Sequence, residues 1–256
     1  MILILAVIQA RMDSTRLAGK VMLPLLGKPV IWHIYERLKF SKELDDICIS
    51  TSTNASDDPI VNFAIDNGIK YHRGSEENLV SRHLGAARSL NADAVVRITA
   101  DCPFVDPEIV DELIVLYNKN PSFDFVSNTK VRTYPIGLDV EVFPKTTLEK
   151  LLPISDNPVF YEYFISMYIY EHPETFNSIG LQLDKPNLLR WTLDYHEDYD
   201  FIKQVYAHLY KRGTVFHMRD IIKLLKERPE LEKINSMHVS QYSHLKYQKE
   251  KGKIND

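Results

Sequence analysis

The chain has 256 residues, of which 45% are hydrophobic and 26% charged. This is the composition of a soluble globular protein with a sizeable core, and it excludes a disordered or fibrous chain. The 31 basic and 35 acidic residues give a formal net charge of −4, so no global positive field favours a nucleic-acid partner.

The apolar runs and the cysteines restrict the cellular context. The longest apolar run, residues 1–8, is far shorter than the roughly 20 residues of a membrane-spanning helix. It also lacks the charged start and cleavage site of a signal peptide. The two cysteines, Cys48 and Cys102, lie in apolar stretches, which argues against a disulfide scaffold. We therefore expect a cytoplasmic protein that inserts into no membrane.

The first half of the chain alternates short apolar runs with amphipathic stretches, a pattern typical of βαβ units and a mostly parallel sheet. Strands are predicted at 2–8, 47–51, 69–72 and 94–99. Helices are predicted at 30–40, 57–67, 76–90 and 106–117. Asp57 or Asp58 is expected to cap the second of these helices and Gly68 to end it.

The second half departs from this regular alternation. Strands are predicted at 123–127, 138–143 and 188–193, and helices at 159–170, 197–211 and 218–227. We interpret residues 1–243 as one α/β domain with an inserted strand-and-helix excursion at about 128–180, followed by a polar tail over 244–256. An apolar excursion of this kind often packs on a twin subunit, so we expect a homodimer.

The loop after the first predicted strand, residues 9–20 (QARMDSTRLAGK), is rich in cationic and hydroxyl side chains. In open parallel sheets the ligand crevice lies at the carboxyl ends of the strands, where this loop begins. Its guanidinium, ammonium and hydroxyl groups can surround a polyphosphate: Arg11, Ser14, Thr15, Arg16 and Lys20. The alternative interpretation is a solvated polar loop.

Two common phosphate-binding motifs are missing from this loop. A P-loop needs a glycine where the chain has Ser14 and a hydroxyl residue where it has Val21. The nine glycines nowhere form the G-x-G of a dinucleotide fingerprint. Phosphate contacts must therefore come mainly from side chains.

The N-terminal block IQARMDSTRLAGKVMLPLLGKPVIWHIYERL resembles the signature of the cytidylyltransferases that activate Kdo and sialic acids. It is most similar to the branch of spore coat polysaccharide biosynthesis protein F. Weaker blocks follow in the same order: RGSEENLVSRHLGAA, VRITADCPFVDPEIVDELI, YPIGLDVEVF and LRWTLDYHEDYDFI. The resemblance implies a fold like that of nucleotide-diphospho-sugar transferases, a Rossmann-like sheet sandwiched by helices.

The same resemblance implies an activity and a set of site residues. CMP would pass from CTP to a small sugar-like acceptor with Mg²⁺ as cofactor and release of pyrophosphate, in surface polysaccharide or glycan synthesis. Arg11 and Lys20 would grip the triphosphate, with Ala10, Ser14 and Arg16 beside them. Asp101 and Asp194 would hold the metal, and Arg11, Lys20 and Asp101 are the catalytic candidates. Each aspartate has a plainer alternative as a helix cap.

Arg73 and Thr99 match the positions where the family selects the base, and Asp139, Glu141 and Glu162 are expected on the acceptor side. The chain departs from the family pattern at several of these positions. Thr99 stands where relatives have glutamine, Ala18 replaces a proline, and Cys102 replaces an acidic residue. Only Glu162 survives of a family stretch at 161–165, which favours a different acceptor.

Two other functions stay open at this point. One is a glycosyltransferase that uses a nucleotide sugar, for which Asp139 and Glu141 are a loose metal motif. The other is a non-catalytic partner subunit that binds CTP without turning it over. Histidine zinc motifs and a serine nucleophile elbow are absent from the sequence.

Overall fold

The computed structural model describes residues 2–156, 165–187 and 189–241. Its strands are β1 (Ile4–Gln9), β2 (Pro24–Leu25), β3 (Lys28–Pro29), β4 (Asp46–Ser52), β5 (Lys70–Gly74), β6 (Ala94–Thr99), β7 (Phe125–Ser127), β8 (Glu141–Pro144) and β9 (Ser178–Gly180). Its helices are α1 (Val30–Leu38), α2 (Asp58–Asp66), α3 (Leu79–Ser89), α4 (Pro107–Lys119), α5 (Lys145–Leu151), α6 (Ile165–Glu171), α7 (His196–Leu209) and α8 (Met218–Glu227).

Seven of these strands form one sheet in the order β5-β4-β1-β6-β8-β7-β9, while β2 and β3 form a separate small hairpin. The four strands from β5 to β6 are parallel to one another. Strand β8 runs antiparallel to β6 and to β7, and β9 is parallel to β7. Residues 128–180 therefore contribute two strands to this sheet, β8 between β6 and β7 and β9 at one edge.

Helices cover both faces of this sheet, which explains why β1 is apolar at every position but its last. Ile4, Ala6 and Ile8 pack into one core, with residues of α1, α2, α4, α7 and α8. Leu5 and Val7 face the other core, with residues of α3, α5 and α6. A strand that is buried on both faces shows a continuous hydrophobic run rather than an alternating one. The predicted α/β class, a mostly parallel sheet sandwiched by helices, is confirmed.

Most predicted elements are present, but one predicted strand has different bounds and another does not form among the described residues. The strand predicted at 138–143 begins only at Glu141, and the described part of the segment predicted at 188–193 forms a single isolated bridge between Arg190 and Ile136. The bridge does not extend into a ladder because Leu189 and Trp191 both bond to Ile136, whereas Leu193 donates its N–H to the Asp101 carbonyl. The apolar character of these segments correctly predicted that they are buried, but it did not predict which residues pair with a neighbouring strand.

Two helix starts also differ from the prediction. The helix predicted from residue 76 begins at Leu79, where the Asn78 side chain accepts a hydrogen bond from the Ser81 N–H. Asp57 precedes α2 without a side-chain capping bond. Its carboxylate accepts instead from the backbone N–H groups of Met12 and Ser52, so it ties the loop after β1 to β4.

Some predicted segments lie wholly or partly outside the described residues. The helix predicted over 159–170 is described only as α6, and the predicted tail over 244–256 is not described. The division into domain, excursion and tail stays a prediction. Within the described ranges, every helix is too short or too polar to span a bilayer.

Candidate active site

The site forms where β1 and β6 end at the same edge of the sheet. Gln9 and Thr99, the last residues of the two strands, are paired in register. The loop after β1 leads to Lys20, and the turn after β6 places Asp101 two residues beyond Thr99. Leu193 donates its N–H to the Asp101 carbonyl at 2.8 Å, which brings the segment before α7 to this edge. Three distant parts of the chain therefore converge at one point.

The ammonium group of Lys20 lies at this point and contacts two acids. Its Nζ lies 2.7 Å from Oδ2 of Asp101 and 2.8 Å from Oδ1 of Asp194. Arg16 also donates to Oδ1 of Asp194, at 2.8 Å. Only 11% of the Lys20 side chain is exposed, so solvent screens these ion pairs weakly.

The loop after β1 reaches this geometry by folding around Met12. The Met12 carbonyl accepts from the N–H groups of Ser14 and Gly19, at 3.0 and 2.9 Å. Gly19 has a φ of 65°, the left-handed region that glycine adopts without steric cost. This turn at Gly19 directs Lys20, the next residue, into the site.

The ion pairs shift the pKa values of their members in opposite directions. Burial of Lys20 lowers its pKa, but Asp101 and Asp194 outweigh burial and raise it. Burial of Asp101 raises its pKa, but the charge of Lys20, with hydrogen bonds from Lys20 and Thr99, brings it down to about 2. Both groups are therefore charged at neutral pH.

The second oxygen of Asp194 is held by an arginine that the sequence analysis did not identify. Arg190 donates from Nη2 to Asp194 at 3.0 Å and from Nε to Asp198 at 2.9 Å. Asp198, which is fully buried, also accepts from the N–H groups of Asp194 and Tyr195 at the start of α7. The spacing of four residues between Arg190, Asp194 and Asp198 is the sequence signal for this network.

A pocket surrounds the two acids and extends toward β8. Its walls include the predicted residues Arg16, Thr99, Asp101, Asp139, Glu141 and Asp194. They also include residues that were not predicted: Arg97, Cys102, Thr129, Arg132, Gly137, Ser166 and Thr192. One predicted phosphate residue, Arg16, thus lines the same cavity as both predicted metal residues and the predicted acceptor-side residues Asp139 and Glu141.

Two buried arginines line the pocket with acidic partners from the predicted acceptor side. Arg97 donates to Glu141 and to Oε1 of Gln9, the latter at 2.9 Å. Arg132 contacts both carboxylate oxygens of Asp139. Arg97 had a signal in the sequence, since it is a charged residue inside the apolar run AVVRIT.

Other predicted residues lie outside the walls of this pocket. The Arg73 guanidinium donates to the carbonyls of Ser52 and Asn54 and to the Asp58 carboxylate, at 2.8 to 2.9 Å. Arg73 therefore braces the turn after β4, and its role at the base stays a prediction. Ala10 is buried against β4, Arg11 is exposed, and the Ser14 hydroxyl accepts from Leu17 at 3.4 Å within its own loop. Glu162 lies outside the described residues.

Asp101 and Asp194 fit a divalent cation. One oxygen of each carboxylate lies within 2.8 Å of the same nitrogen atom, so both can reach one small cation. Mg²⁺ prefers carboxylate oxygens and commonly takes one or two of them. A second acidic cluster, formed by Asp106, Glu108 and His217, has a structural role. There Asp106 accepts from the backbone at the starts of α4 and α8.

Comparison with known proteins places this chain in a family. The cytidylyltransferase family model matches residues 5–250. An uncharacterized protein of Methanocaldococcus jannaschii is 34% identical over 91% of this chain and 94% of its own length. Spore coat polysaccharide biosynthesis protein SpsF of Bacillus subtilis is 30% identical over 89% of this chain and 95% of its own.

A solved structure has the same architecture. The cytidylyltransferase from Leptospira borgpetersenii serovar Hardjo-bovis superposes with a TM-score of 0.84 at 34% sequence identity. The match covers 90% of this chain and 97% of that one. The resemblance of the N-terminal block is thereby confirmed: the chain is a nucleotidyltransferase that belongs to the cytidylyltransferase family.

Proposed function

We propose that this chain transfers CMP from CTP to a sugar acid or a related small acceptor and releases pyrophosphate, in surface polysaccharide or glycan synthesis. One observation carries the proposal: Lys20 of the loop after β1 contacts Asp101 and Asp194 simultaneously. The residues that we propose for the triphosphate and for the metal are therefore in direct contact. The name of the Bacillus relative supports the polysaccharide context.

The proposed reaction is an in-line displacement at the α-phosphorus of CTP. An oxygen of the acceptor forms a bond to phosphorus while the bond to the pyrophosphate oxygen breaks. Negative charge develops on the equatorial oxygens and on the departing pyrophosphate. We propose that Lys20 and Arg16, which both contact Asp194, stabilise this charge, and that the exposed Arg11 approaches the phosphates from solvent.

Asp101 and Asp194 would hold the divalent cation, and Mg²⁺ is the ion we propose. When bound, such an ion neutralises phosphate charge and orients the phosphoryl group. Arg190 and Asp198 keep the Asp194 carboxylate in place, since they hold its second oxygen and its backbone N–H. Partners of this kind commonly tune metal affinity.

The acceptor would bind at the end of the pocket formed by Asp139 and Glu141, next to Thr129 and Ser166. Carboxylates and hydroxyls at this wall suit a ligand with many hydroxyl groups. We also propose that Glu162 contributes on this side and that two copies of the chain associate through the excursion. Light scattering on the purified protein tests the dimer.

Incubation with CTP, Mg²⁺ and a panel of sugar acids tests the activity. Acceptor-dependent pyrophosphate release is the expected result. Turnover of a preformed nucleotide sugar instead identifies a glycosyltransferase. Tight CTP binding in calorimetry without turnover on any acceptor identifies a non-catalytic partner. The Lys20→Met variant is the control that must lose the activity.

A further inference from the structure

Asp57 is a buried acid that lies at the start of α2 but does not cap this helix. The residue is only 2% exposed, and its carboxylate forms no capping bond to the first turn of α2. A helix cap needs one neutral acceptor, which serine, threonine or asparagine supplies without burial of a charge. The start of the helix therefore does not explain why a carboxylate is buried at this position.

The Asp57 carboxylate connects two separate segments of the chain. Its Oδ1 accepts from the Met12 N–H at 2.7 Å, and its Oδ2 accepts from the Ser52 N–H at 3.1 Å and from the Ser52 hydroxyl. Burial raises the pKa of Asp57, but the hydrogen bonds from Ser52 and Met12 outweigh burial and lower it. The group is therefore charged at neutral pH, and a charged acceptor forms stronger hydrogen bonds than a neutral one.

Met12 is held at both of its backbone polar groups. Its N–H donates to Asp57, and its carbonyl accepts from the N–H groups of Gly19 and Ser14, at 2.9 and 3.0 Å. Gly19, with its φ of 65°, directs the next residue, Lys20, into the site. Two consecutive hydrogen bonds through Met12 therefore connect the Asp57 carboxylate to the residue before Lys20.

The turn after β4 is itself fixed to the sheet, so Asp57 can serve as an anchor. Ser52 is the last residue of β4 and is fully buried. Arg73, on the neighbouring strand β5, donates to the carbonyls of Ser52 and Asn54 at 2.9 and 2.8 Å. The Asp57 N–H donates to the Asn54 carbonyl at 3.1 Å and closes the turn. The loop after β1 is thereby hydrogen-bonded to a braced part of the parallel sheet.

We propose that Asp57 is a positioning residue that keeps the Lys20 ammonium in contact with its two acids, an inference that rests on the proposed function. These contacts, at 2.7 and 2.8 Å, break if the backbone of the loop shifts. A misplacement of about 1 Å at a catalytic group can reduce a rate about 10²-fold. Asp57 acts through the loop and is not among the residues that line the pocket.

Asp57→Asn tests the proposal with nearly the same side-chain shape. An amide has one oxygen and one NH2 group, so its two polar atoms cannot both accept from the N–H groups of Met12 and Ser52. We expect kcat for pyrophosphate release to fall by roughly 10- to 100-fold while circular dichroism stays native. Asp66→Asn removes an exposed acid at the other end of α2 and is expected to leave kcat unchanged.

A double-mutant cycle separates the positioning of Lys20 from a general loss of stability. If Asp57 acts through Lys20, Asp57→Asn lowers kcat in the wild-type background and has little further effect in the Lys20→Met background. A purely structural role of Asp57 would lower kcat by the same factor in both backgrounds. The cycle is therefore expected to be strongly non-additive.

Metal affinity without nucleotide gives a second measurement, which needs no acceptor. The Lys20 ammonium competes with a cation for Asp101 and Asp194, so a displaced Lys20 competes less well. We expect Asp57→Asn to bind Mn²⁺ roughly three- to tenfold more tightly than wild type, read from the electron paramagnetic resonance signal of free Mn²⁺. Ser52→Ala, which removes only the hydroxyl donor to Asp57, should raise the affinity by a smaller factor.

Two results would overturn the proposal: an unchanged Mn²⁺ affinity in Asp57→Asn, or an equal loss of kcat with and without Lys20. If Asp57→Asn does not fold, Ser52→Ala takes its place in both measurements, and an unchanged kcat and Mn²⁺ affinity in that variant would have the same consequence. If wild type turns over none of the acceptors, the proposed function fails, whereas the Mn²⁺ measurement still decides the role of Asp57.

Discussion

The ammonium of Lys20 lies 2.8 Å from Oδ1 of Asp194, a residue 174 positions further along the chain. The same nitrogen contacts Asp101, 81 positions away, at 2.7 Å. Since the loop after β1 and the turn after β6 leave the sheet at one edge, parallel pairing of these strands brings the charges together. The ion pairs link the three segments from which the proposed site is built.

Replacement of Lys20 by methionine tests the proposed role of the loop in turnover. We expect kcat to fall by about 10²- to 10³-fold, because the variant loses a positioned cation at the developing phosphate charge. Lys28→Met removes an exposed lysine of the same N-terminal region and is the control. Near-wild-type pyrophosphate release by Lys20→Met would remove the loop from the mechanism.

The same Lys20→Met variant should bind divalent metal more tightly without nucleotide. The Lys20 ammonium contacts an oxygen of each acid, so it competes with a cation for the same ligands. We expect the Mn²⁺ affinity, read from the electron paramagnetic resonance signal of free Mn²⁺, to rise about tenfold, which is roughly 1.4 kcal/mol. An unchanged or weaker affinity would show that the two acids do not form the metal site.

The lowered pKa of Asp101 predicts a loss of stability in acid. A carboxylate whose pKa is lowered by folding stabilises the folded state at pH values above its ordinary pKa, which is 3.8 for aspartate. This stabilisation is lost as the pH falls toward the lowered pKa of Asp101, about 2. Urea unfolding of wild type should lose at most about 2 kcal/mol through this group across that window. Asp101→Asn should show a shallower dependence on pH between 4 and 2, and an identical slope would contradict the assigned shift.

Arg190 and Asp198 form a buried pair whose members depend on each other. Their side chains are 1% and 0% exposed. Asp198→Ala should reduce the free energy of unfolding by about 3–5 kcal/mol, because the buried charge of Arg190 then loses one of its two acidic partners. The double variant Arg190→Met, Asp198→Leu should lose less free energy of unfolding than the sum of the losses in the single variants Arg190→Met and Asp198→Leu. Additive losses in urea unfolding would show that the pair is not coupled.

Local patterns were sufficient to predict much of the fold. The continuous apolar run of β1 and the run AVVRIT of β6 predicted strands that are buried on both faces. Asp106 before Pro107 predicted the start of α4, where the Asp106 carboxylate accepts from the Glu108 N–H. These features depend on interactions between residues that are close in the sequence, so they can be predicted from the sequence.

The failures arise where the partner of a group lies far along the chain. Asp57 has the sequence features of a helix cap, yet its carboxylate bonds to Met12 and Ser52. The segment predicted as a strand at 188–193 has strand composition, but the described part of it has no neighbouring ladder to join. The sequence around a residue indicates whether that residue is buried. It does not indicate which distant group will bond to it.

The amino-acid sequence by itself determined the α/β class, the order of most elements and, through the family resemblance, the residues to examine. Only the tertiary structure decided how the charges are paired: Lys20 with both acids, and Arg73 with the turn after β4. The physical reason is that hydrophobic periodicity is a local property, whereas the energy of a buried charge depends on groups that folding brings within about 3 Å.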